Sequence, residues 1–260
     1  MDKRITLKID KIETETKDIK TFTFQHQLDA KPGQFIMITD FEGGEKPLSV
    51  SDCTADKFSI TVKKVGEFTS RLFQKKEGDF ISIRGAFGSS FFVSKGKVLL
   101  VGGGYGTIPL FFLTKKLLEA GADISVFNGA RTIDDLVFCD KFQELGIKYQ
   151  NISEDGKLTR KGTSIDLVKE SLAEEKFDFI YSAGPEMMMK VLQGVIGEID
   201  YEFLFERYMK CAIGICGSCT MDPLGIRLCV EGPVLPKKLV EQLTEFGNYH
   251  RKANGIRVSF

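Results

Sequence analysis

Four of the six cysteines in this 260-residue chain fall between positions 211 and 229, spaced C-x4-C-x2-C-x9-C as Cys211, Cys216, Cys219 and Cys229. Four thiols this close in sequence demand a loop that bends around a common centre, and that limits the fold more than any local propensity does. The first three match the plant-type run that holds a two-iron, two-sulfur (2Fe-2S) centre, and only the last gap is shorter. Gly214, Gly217 and Ser218 lie between them, where backbone N–H groups can turn inward and stabilise an anionic cluster. A zinc site with four cysteine ligands is the alternative, although such sites more often use two C-x2-C pairs and only one is present. A thiol redox pair at Cys216 and Cys219 is a third reading. Cys53 and Cys139 stand alone and are expected to be small buried hydrophobes.

Clustered cysteines bind metal more often than they pair as disulfides in a reducing compartment, and other features agree with a cytoplasmic setting. The N-terminus Met1-Asp2-Lys3-Arg4-Ile5-Thr6-Leu7-Lys8 has no apolar signal-peptide core. The longest uncharged run, 98–114, contains four glycines and Pro109 and is too short and interrupted for a membrane span. Thirty-six basic residues balance 36 acidic ones in an interspersed pattern, which argues against nucleic-acid or anionic-membrane partners.

Residues 1–95 show short alternating stretches, at 5–12, 21–24, 35–39, 58–63 and 80–83, separated by turn-forming clusters such as Lys31-Pro32-Gly33 and Gly43-Gly44-Glu45-Lys46-Pro47. This spacing predicts a small antiparallel β-barrel. From Lys97 the pattern changes: Val98-Leu99-Leu100-Val101 reads as a strand buried on both faces, and strand-like runs at 124–127, 148–152, 177–181 and 202–205 alternate with helical stretches at 107–120, 134–145, 164–174 and 186–196. The expected class is a two-domain α+β chain: a barrel domain (1–95), a parallel α/β domain (96–205), a cluster segment (206–236) and a C-terminal piece (237–260). In that last piece Leu239, Val240, Leu243 and Phe246 sit at helical spacing and predict a helix packed on the body.

Gly102-Gly103-Gly104-Tyr105-Gly106-Thr107-Ile108-Pro109 lies between a predicted strand and helix, the setting in which bare N–H groups and a helix dipole hold a pyrophosphate. A tight turn with no ligand would use the same residues. Arg131, after the next strand, is placed to meet a cofactor phosphate, and Asp134 and Asp135 are either ribose partners or first-turn helix residues. His26 and His250 stand alone and are read as surface or packing residues.

A barrel, an α/β nucleotide unit and a four-cysteine segment, in that order, resemble the ferredoxin-reductase superfamily of flavoproteins. Lys46-Pro47-Leu48-Ser49 resembles its flavin motif, Gly66-Glu67-Phe68-Thr69-Ser70 its pyrophosphate-facing turn, and Gly85-Ala86-Phe87-Gly88 a further flavin-side turn. Ser182-Ala183-Gly184-Pro185-Glu186-Met187-Met188 is similar to its nicotinamide-pocket segment. The string from Glu206-Arg207-Tyr208-Met209-Lys210-Cys211 to Cys229-Val230-Glu231-Gly232-Pro233-Val234 is similar to that of the electron-transfer subunits of two-component, NAD-linked dihydroorotate dehydrogenases. The chain departs from these patterns at Lys46, Phe68, Ala86 and Ala212, where Arg, Gly, Pro and Gly are usual.

The resemblance implies FAD on Lys46, Pro47, Leu48, Ser49, Gly66, Thr69 and Ser70. It also implies NAD on Gly102, Gly103, Gly104, Gly106, Arg131, Gly184 and Pro185, and a 2Fe-2S cluster on the four clustered cysteines. It further implies an FMN-containing catalytic partner in a hetero-oligomer serving pyrimidine biosynthesis, since no residue set here suits dihydroorotate chemistry itself. Two other readings share parts of this pattern. One is a subunit of an NAD(P)H:ferredoxin oxidoreductase or of a sulfur or sulfite reductase; the other is a zinc-containing nucleotide-binding module without redox chemistry.

Overall fold

The computed structural model describes residues 3–158 and 160–260. The first half forms seven antiparallel strands, β1 (Ile5–Lys8), β2 (Lys11–Thr16), β3 (Ile19–Phe24), β4 (Phe35–Thr39), β5 (Lys46–Cys53), β6 (Phe58–Lys63) and β7 (Phe80–Phe87), with the helix α1 (Glu67–Gln74) between the last two. Their order is β1-β7-β4-β5-β6-β3-β2, and bulges at Thr14/Thr16, Phe35/Ile36 and Val50/Asp52 help the sheet curl into a half-barrel. The alternating run at 5–12 is two strands, not one. At its midpoint Ile9 is buried and bonds to Gly78 and Asp79, while Asp10 N–H reaches Thr23 O, so the chain crosses there from one sheet edge to the other. Residues 46–53, read from sequence partly as a turn, are a full strand.

The second half alternates β8 (Lys97–Gly103), α2 (Ile108–Glu119), β9 (Asp123–Ala130), α3 (Cys139–Glu144), β10 (Lys148–Ser153), α4 (Ser164–Glu174), β11 (Phe179–Ala183), α5 (Glu186–Val195) and β12 (Asp200–Leu204). These strands are parallel in the order β10-β9-β8-β11-β12, a doubly wound sheet whose order reverses between β8 and β11. Ligands bind such sheets at the carboxyl ends of the strands flanking the reversal, here Gly103 and Ala183. The helix expected at 134–145 is a 3-10 turn at Ile133–Asp135 followed by the short α3, because Leu136, Val137 and Phe138 turn inward to the core and break the helical run.

After β12 come the two-residue strands β13 (Thr220–Met221) and β14 (Ile226–Arg227), and then β15 (Val234–Pro236), which returns to β12 as an antiparallel edge. The sheet is therefore mixed, not wholly parallel. The expected C-terminal helix shrinks to α6 (Lys237–Val240), and the tail closes with a hairpin of β16 (Tyr249–Arg251) and β17 (Arg257–Ser259). Leu243 and Phe246 still pack into the core, carried by turns instead of a helix. The hairpin turn contains Asn254-Gly255, a strong hairpin signal that helical spacing upstream had masked.

The two halves share packing as well as sequence. Phe112 of α2 joins the barrel core, while Phe35, Met37 and Phe87 from the barrel join the core under the α/β sheet and cluster segment. Lys115–Asp52, Lys63–Asp135, Lys17–Asp134 and Lys141–Glu15 ion pairs cross the same boundary.

At the amino edge of the sheet, Glu175 after α4 pairs with Lys97 of β8 and Lys148 of β10, each at 2.6 Å. Lysine and serine hydrogen bonds hold its carboxyl down at about 2, below the usual 4.5. Its stabilising contribution is therefore present above about pH 4.5 and is lost as pH falls towards 2. We expect Glu175→Gln to be less stable than the wild type to urea at pH 6–8. That difference should shrink steadily between pH 4.5 and 3, and a difference independent of pH over this range would rule out the pairing as its cause.

Candidate functional site

The turn after β8 meets the turn after β11 with no room to spare. An added Cβ would lie 2.4 Å from Gly184 Cα at Gly106, 2.6 Å from Pro185 Cδ at Gly103, and 2.1 Å from Thr107 Oγ1 at Gly102. Thr107, fully buried, donates its hydroxyl to Asn128 on β9 at 2.7 Å and fixes the turn from below. Gly103 and Gly106 thus serve close packing of the two turns, and Gly102 makes room for Thr107 within its own. Gly104 alone, at φ +55, has open space where a side chain would stand, and there the backbone faces outward.

Three cavities converge on Tyr105. One, of about 790 Å³, is walled by this glycine turn, Gly184-Pro185-Glu186, Glu206-Arg207-Tyr208 and the C-terminal hairpin from His250 to Ala253 with Phe260. The second, of about 690 Å³, runs to Arg131, Glu154 and Lys169 over the ends of β9 and β10. The third, of about 240 Å³, lies between the halves and is lined by Pro47, Leu48, Ser49, Thr69, Pro109 and Met209 among others. Tyr105 is 40% exposed, lies 5.2 Å from the Lys63 ammonium, and has its phenol pushed up to about 12 by the Glu206 carboxylate beside it and by burial. Glu206 is open to the solvent of the cavity yet surrounded by dense protein, which pushes its own carboxyl up.

The sequence-predicted residues fall into place unevenly. Pro47, Leu48, Ser49 and Thr69 line the inter-domain groove; Lys46 instead faces the ring of Tyr208 at 5.4 Å. Gly66 is the N-cap of α1, and the Thr69 hydroxyl accepts the Val65 and Gly66 N–H groups at 2.9 and 3.0 Å, with Ser70 on the next position of the same turn. Phe68, where glycine is usual, is buried and anchors α1 in the barrel core. Arg131 lines the second cavity, whereas Asp134 and Asp135 are committed to Lys17 and Lys63 and brace the two halves. Cys53 is buried in the barrel core as expected, whereas Cys139 is only half-buried and accepts a Tyr149 hydroxyl at 3.3 Å.

The four clustered thiols lie in one loop after β12, where the Cys216 thiol meets the Ser218 hydroxyl at 3.5 Å and Cys219 and Cys229 are buried. Among the described residues no three or more histidine, cysteine, aspartate or glutamate side chains converge on a single point. Four thiolates in this spacing are the donor set that a two-iron core takes. Hydrogen bonding to Ser218 pulls the exposed Cys216 thiol down, and burial pushes Cys229 up. Buried thiolates are costly without a cation, and this too fits a metal core. Gly214 and Gly217 have positive φ, as does Ala212 at +61, which explains why glycine is usual at that last position. The Arg227 guanidinium donates to Gly214 O at 3.1 Å and stands near Cys219 and Cys229, supplying positive charge beside an anionic site.

Tyr105, Glu186, Arg207 and the hairpin escaped the sequence reading as site residues. The hairpin had a local signal in Asn254-Gly255; the others are brought to the crevice only by the sheet topology.

Residues 206–241 match the family model described as the iron-sulfur cluster binding domain of dihydroorotate dehydrogenase B, and residues 100–194 match the oxidoreductase NAD-binding domain. The chain is 38% identical over 262 residues to a probable dihydroorotate dehydrogenase B (NAD(+)) electron transfer subunit of Methanocaldococcus jannaschii, covering all of both chains. It is 38% identical over 258 residues to the corresponding protein of Methanothermobacter thermautotrophicus, covering 97% of this chain and 96% of that one. Among solved structures, one of an NADH-dependent reduced ferredoxin-NADP oxidoreductase superposes with a TM-score of 0.82 at 32% identity, over 91% of this chain and 89% of that one. Phthalate dioxygenase reductase shares the fold at a TM-score of 0.65 and 15% identity, over 85% and 87% of the two chains.

Because Gly106 has no space for a side chain, we expect Gly106→Ala to force the two turns apart. Overpacking of this kind costs about 1–3 kcal/mol. Urea unfolding should show the lost stability, and calorimetry should show weakened NADH binding; wild-type values for both would mean that the turns do not need their close contact.

Proposed function

The chain belongs to the family of dihydroorotate dehydrogenase B electron-transfer subunits, and on that premise we propose how its residues divide the work. It is a flavin and iron-sulfur oxidoreductase subunit that uses FAD, a 2Fe-2S cluster and NAD. The chemistry these groups supply when bound is the conversion of a two-electron hydride exchange with nicotinamide into one-electron exchange at a cluster.

In this reading residues 1–95 hold FAD. Pro47, Leu48 and Ser49 bear on the flavin ring, Gly66, Thr69 and Ser70 at the start of α1 receive its pyrophosphate, and Lys46 adds positive charge nearby. Residues 96–205 hold NAD. Gly102, Gly103, Gly104 and Gly106 shape the turn for its pyrophosphate, Arg131 takes the adenosine end, and Gly184 with Pro185 seats the nicotinamide. Residues 206–236 carry the cluster on Cys211, Cys216, Cys219 and Cys229, and residues 237–260 close the crevice.

The observation that carries this reading is the continuity of the sites: Met209, two residues before Cys211, lines the same groove as Pro47, Leu48 and Ser49, with Tyr105 between groove and crevice. A flavin there would have nicotinamide on one side and the cluster loop on the other. On the outer side of that loop Cys216 is exposed, as are Ile213, Ile215 and Val230, at 49%, 78% and 43%. That apolar rim suits docking of a protein, here an FMN-containing catalytic dihydroorotate dehydrogenase subunit. Net flow in pyrimidine biosynthesis then runs from dihydroorotate through the partner and this chain to NAD+. Among the described residues no helix is long and apolar enough to cross a membrane, and six free cysteines suit a reducing cytoplasm.

Iron and sulfide analysis of the purified chain should find two of each, with a flavin spectrum; zinc without iron would overturn the assignment. Cys216→Ser should keep FAD and NADH-dependent reduction of a dye while losing electron transfer with the catalytic subunit. Undiminished transfer in that variant would remove the cluster from the path.

A further inference from the structure

Arg207 leaves the end of β12 and points into protein, with its side chain only 5% exposed. Its guanidinium spans two buried carboxylates. On one side it pairs with both oxygens of Glu186, the Nη2 contact being 3.0 Å; on the other its Nε donates to Glu245 at 3.1 Å. The two carboxylates belong to different parts of the site. Glu186 is the first residue of α5, directly after Gly184-Pro185, and also accepts the Gly247 N–H at 2.9 Å. Glu245 is fully buried and accepts the Asp222 N–H at 2.8 Å and Arg251 at 3.1 Å, while Arg251 donates in turn to Thr220 O, the residue after Cys219. A continuous set of hydrogen bonds thus runs from the nicotinamide turn to the cluster loop, with Arg207 at its middle. Arg251 also pairs with the Asp222 carboxylate, which Arg257 reaches from the other side, so three arginines face three carboxylates, and removing one buried partner leaves a charge unpaired.

We propose that Arg207 is a positioning residue that ties the nicotinamide turn to the cluster segment, so that occupation of the crevice by nicotinamide is felt at the cluster. The inference rests on the placement of NAD and the cluster given above. Arg207 and Glu186 wall the crevice, so a bound nicotinamide ring touches one end of the set; Thr220 and Asp222 flank the cluster ligands at the other. Coupling of this kind requires an element that both sites contact, and here it is a chain of specific bonds. Lysine in place of Arg207 keeps the charge but cannot form a bidentate pair with Glu186 and bond Glu245 at the same time.

The test uses the full chain loaded with FAD and cluster, reduced with dithionite, and reads the electron paramagnetic resonance signal of the reduced cluster. Excess NADH should shift that signal in the wild type. ADP-ribose, which lacks nicotinamide and so does not reach Glu186, should leave it unchanged. Arg207→Lys should lose the NADH-induced shift and raise the KM for NADH about tenfold, the size typical of disturbed supporting residues, at unchanged iron and flavin content. Glu245→Gln provides a second variant, because Glu245 does not line the crevice and a rise in KM there travels through the two crevice arginines it holds, Arg207 and Arg251. An NADH-reducible wild type whose cluster signal ignores NADH would overturn the inference while leaving the placement of NAD intact. The same follows if both variants keep the shift and the wild-type KM. A loaded protein whose flavin NADH cannot reduce would overturn the placement of NAD, and the inference with it.

Discussion

The contact between the turn at Gly102–Gly106 and the turn at Gly184-Pro185 is where the two halves of the doubly wound sheet meet at their carboxyl ends. Cβ positions 2.1 to 2.6 Å from neighbouring atoms mean that glycine is obligatory there on steric grounds, before any ligand is considered. Because these turns touch, the space available to a dinucleotide lies outward of both, and Tyr105 projects from their junction into all three cavities.

The cluster segment depends on this frame. It leaves the sheet from β12, carries the four cysteines, and comes back as β15 beside the strand it left, so both ends are held by one edge of the sheet. Ser89, at the junction of the two halves, bonds to Val234 O at 2.8 Å, and the Phe205 N–H to Pro233 O at 2.9 Å. Glu245 and Arg251 then secure Asp222 and Thr220 from the far side. A loop of thiols and glycines has little core of its own, and these ties supply the rigidity that a redox site between two partners needs.

Much of this was legible in the sequence. Continuous apolar runs mark buried parallel strands, and α4 falls within the predicted bounds because its periodicity and its Thr163–Asp166 capping box agree. The cysteine spacing pointed to a two-iron core, and the match of residues 206–241 to an iron-sulfur cluster binding domain agrees. Less legible were features in which local and long-range preferences compete. The region 134–145 looks helical until Val137 and Phe138 are drawn into the core. The tail looks helical because Leu239, Val240, Leu243 and Phe246 have the right spacing, yet turns bury the same side chains and release the chain for the Asn254-Gly255 hairpin.

The order of the parts, the cysteine spacing and the glycine turn are written in local sequence, since spacing and composition act over a few residues. What those parts face depends on contacts between elements far apart in the chain. Asp134 and Asp135 became braces to Lys17 and Lys63 because the barrel packs beside them. Gly103 and Gly106 proved to be packing residues because a second turn lies against them. Arg207 became the link between Glu186 and Glu245, residues 59 positions apart, because the reversal of strand order and the returning tail bring both to the end of β12. Contacts of that range carry no local periodicity, so no pattern along the chain announces them.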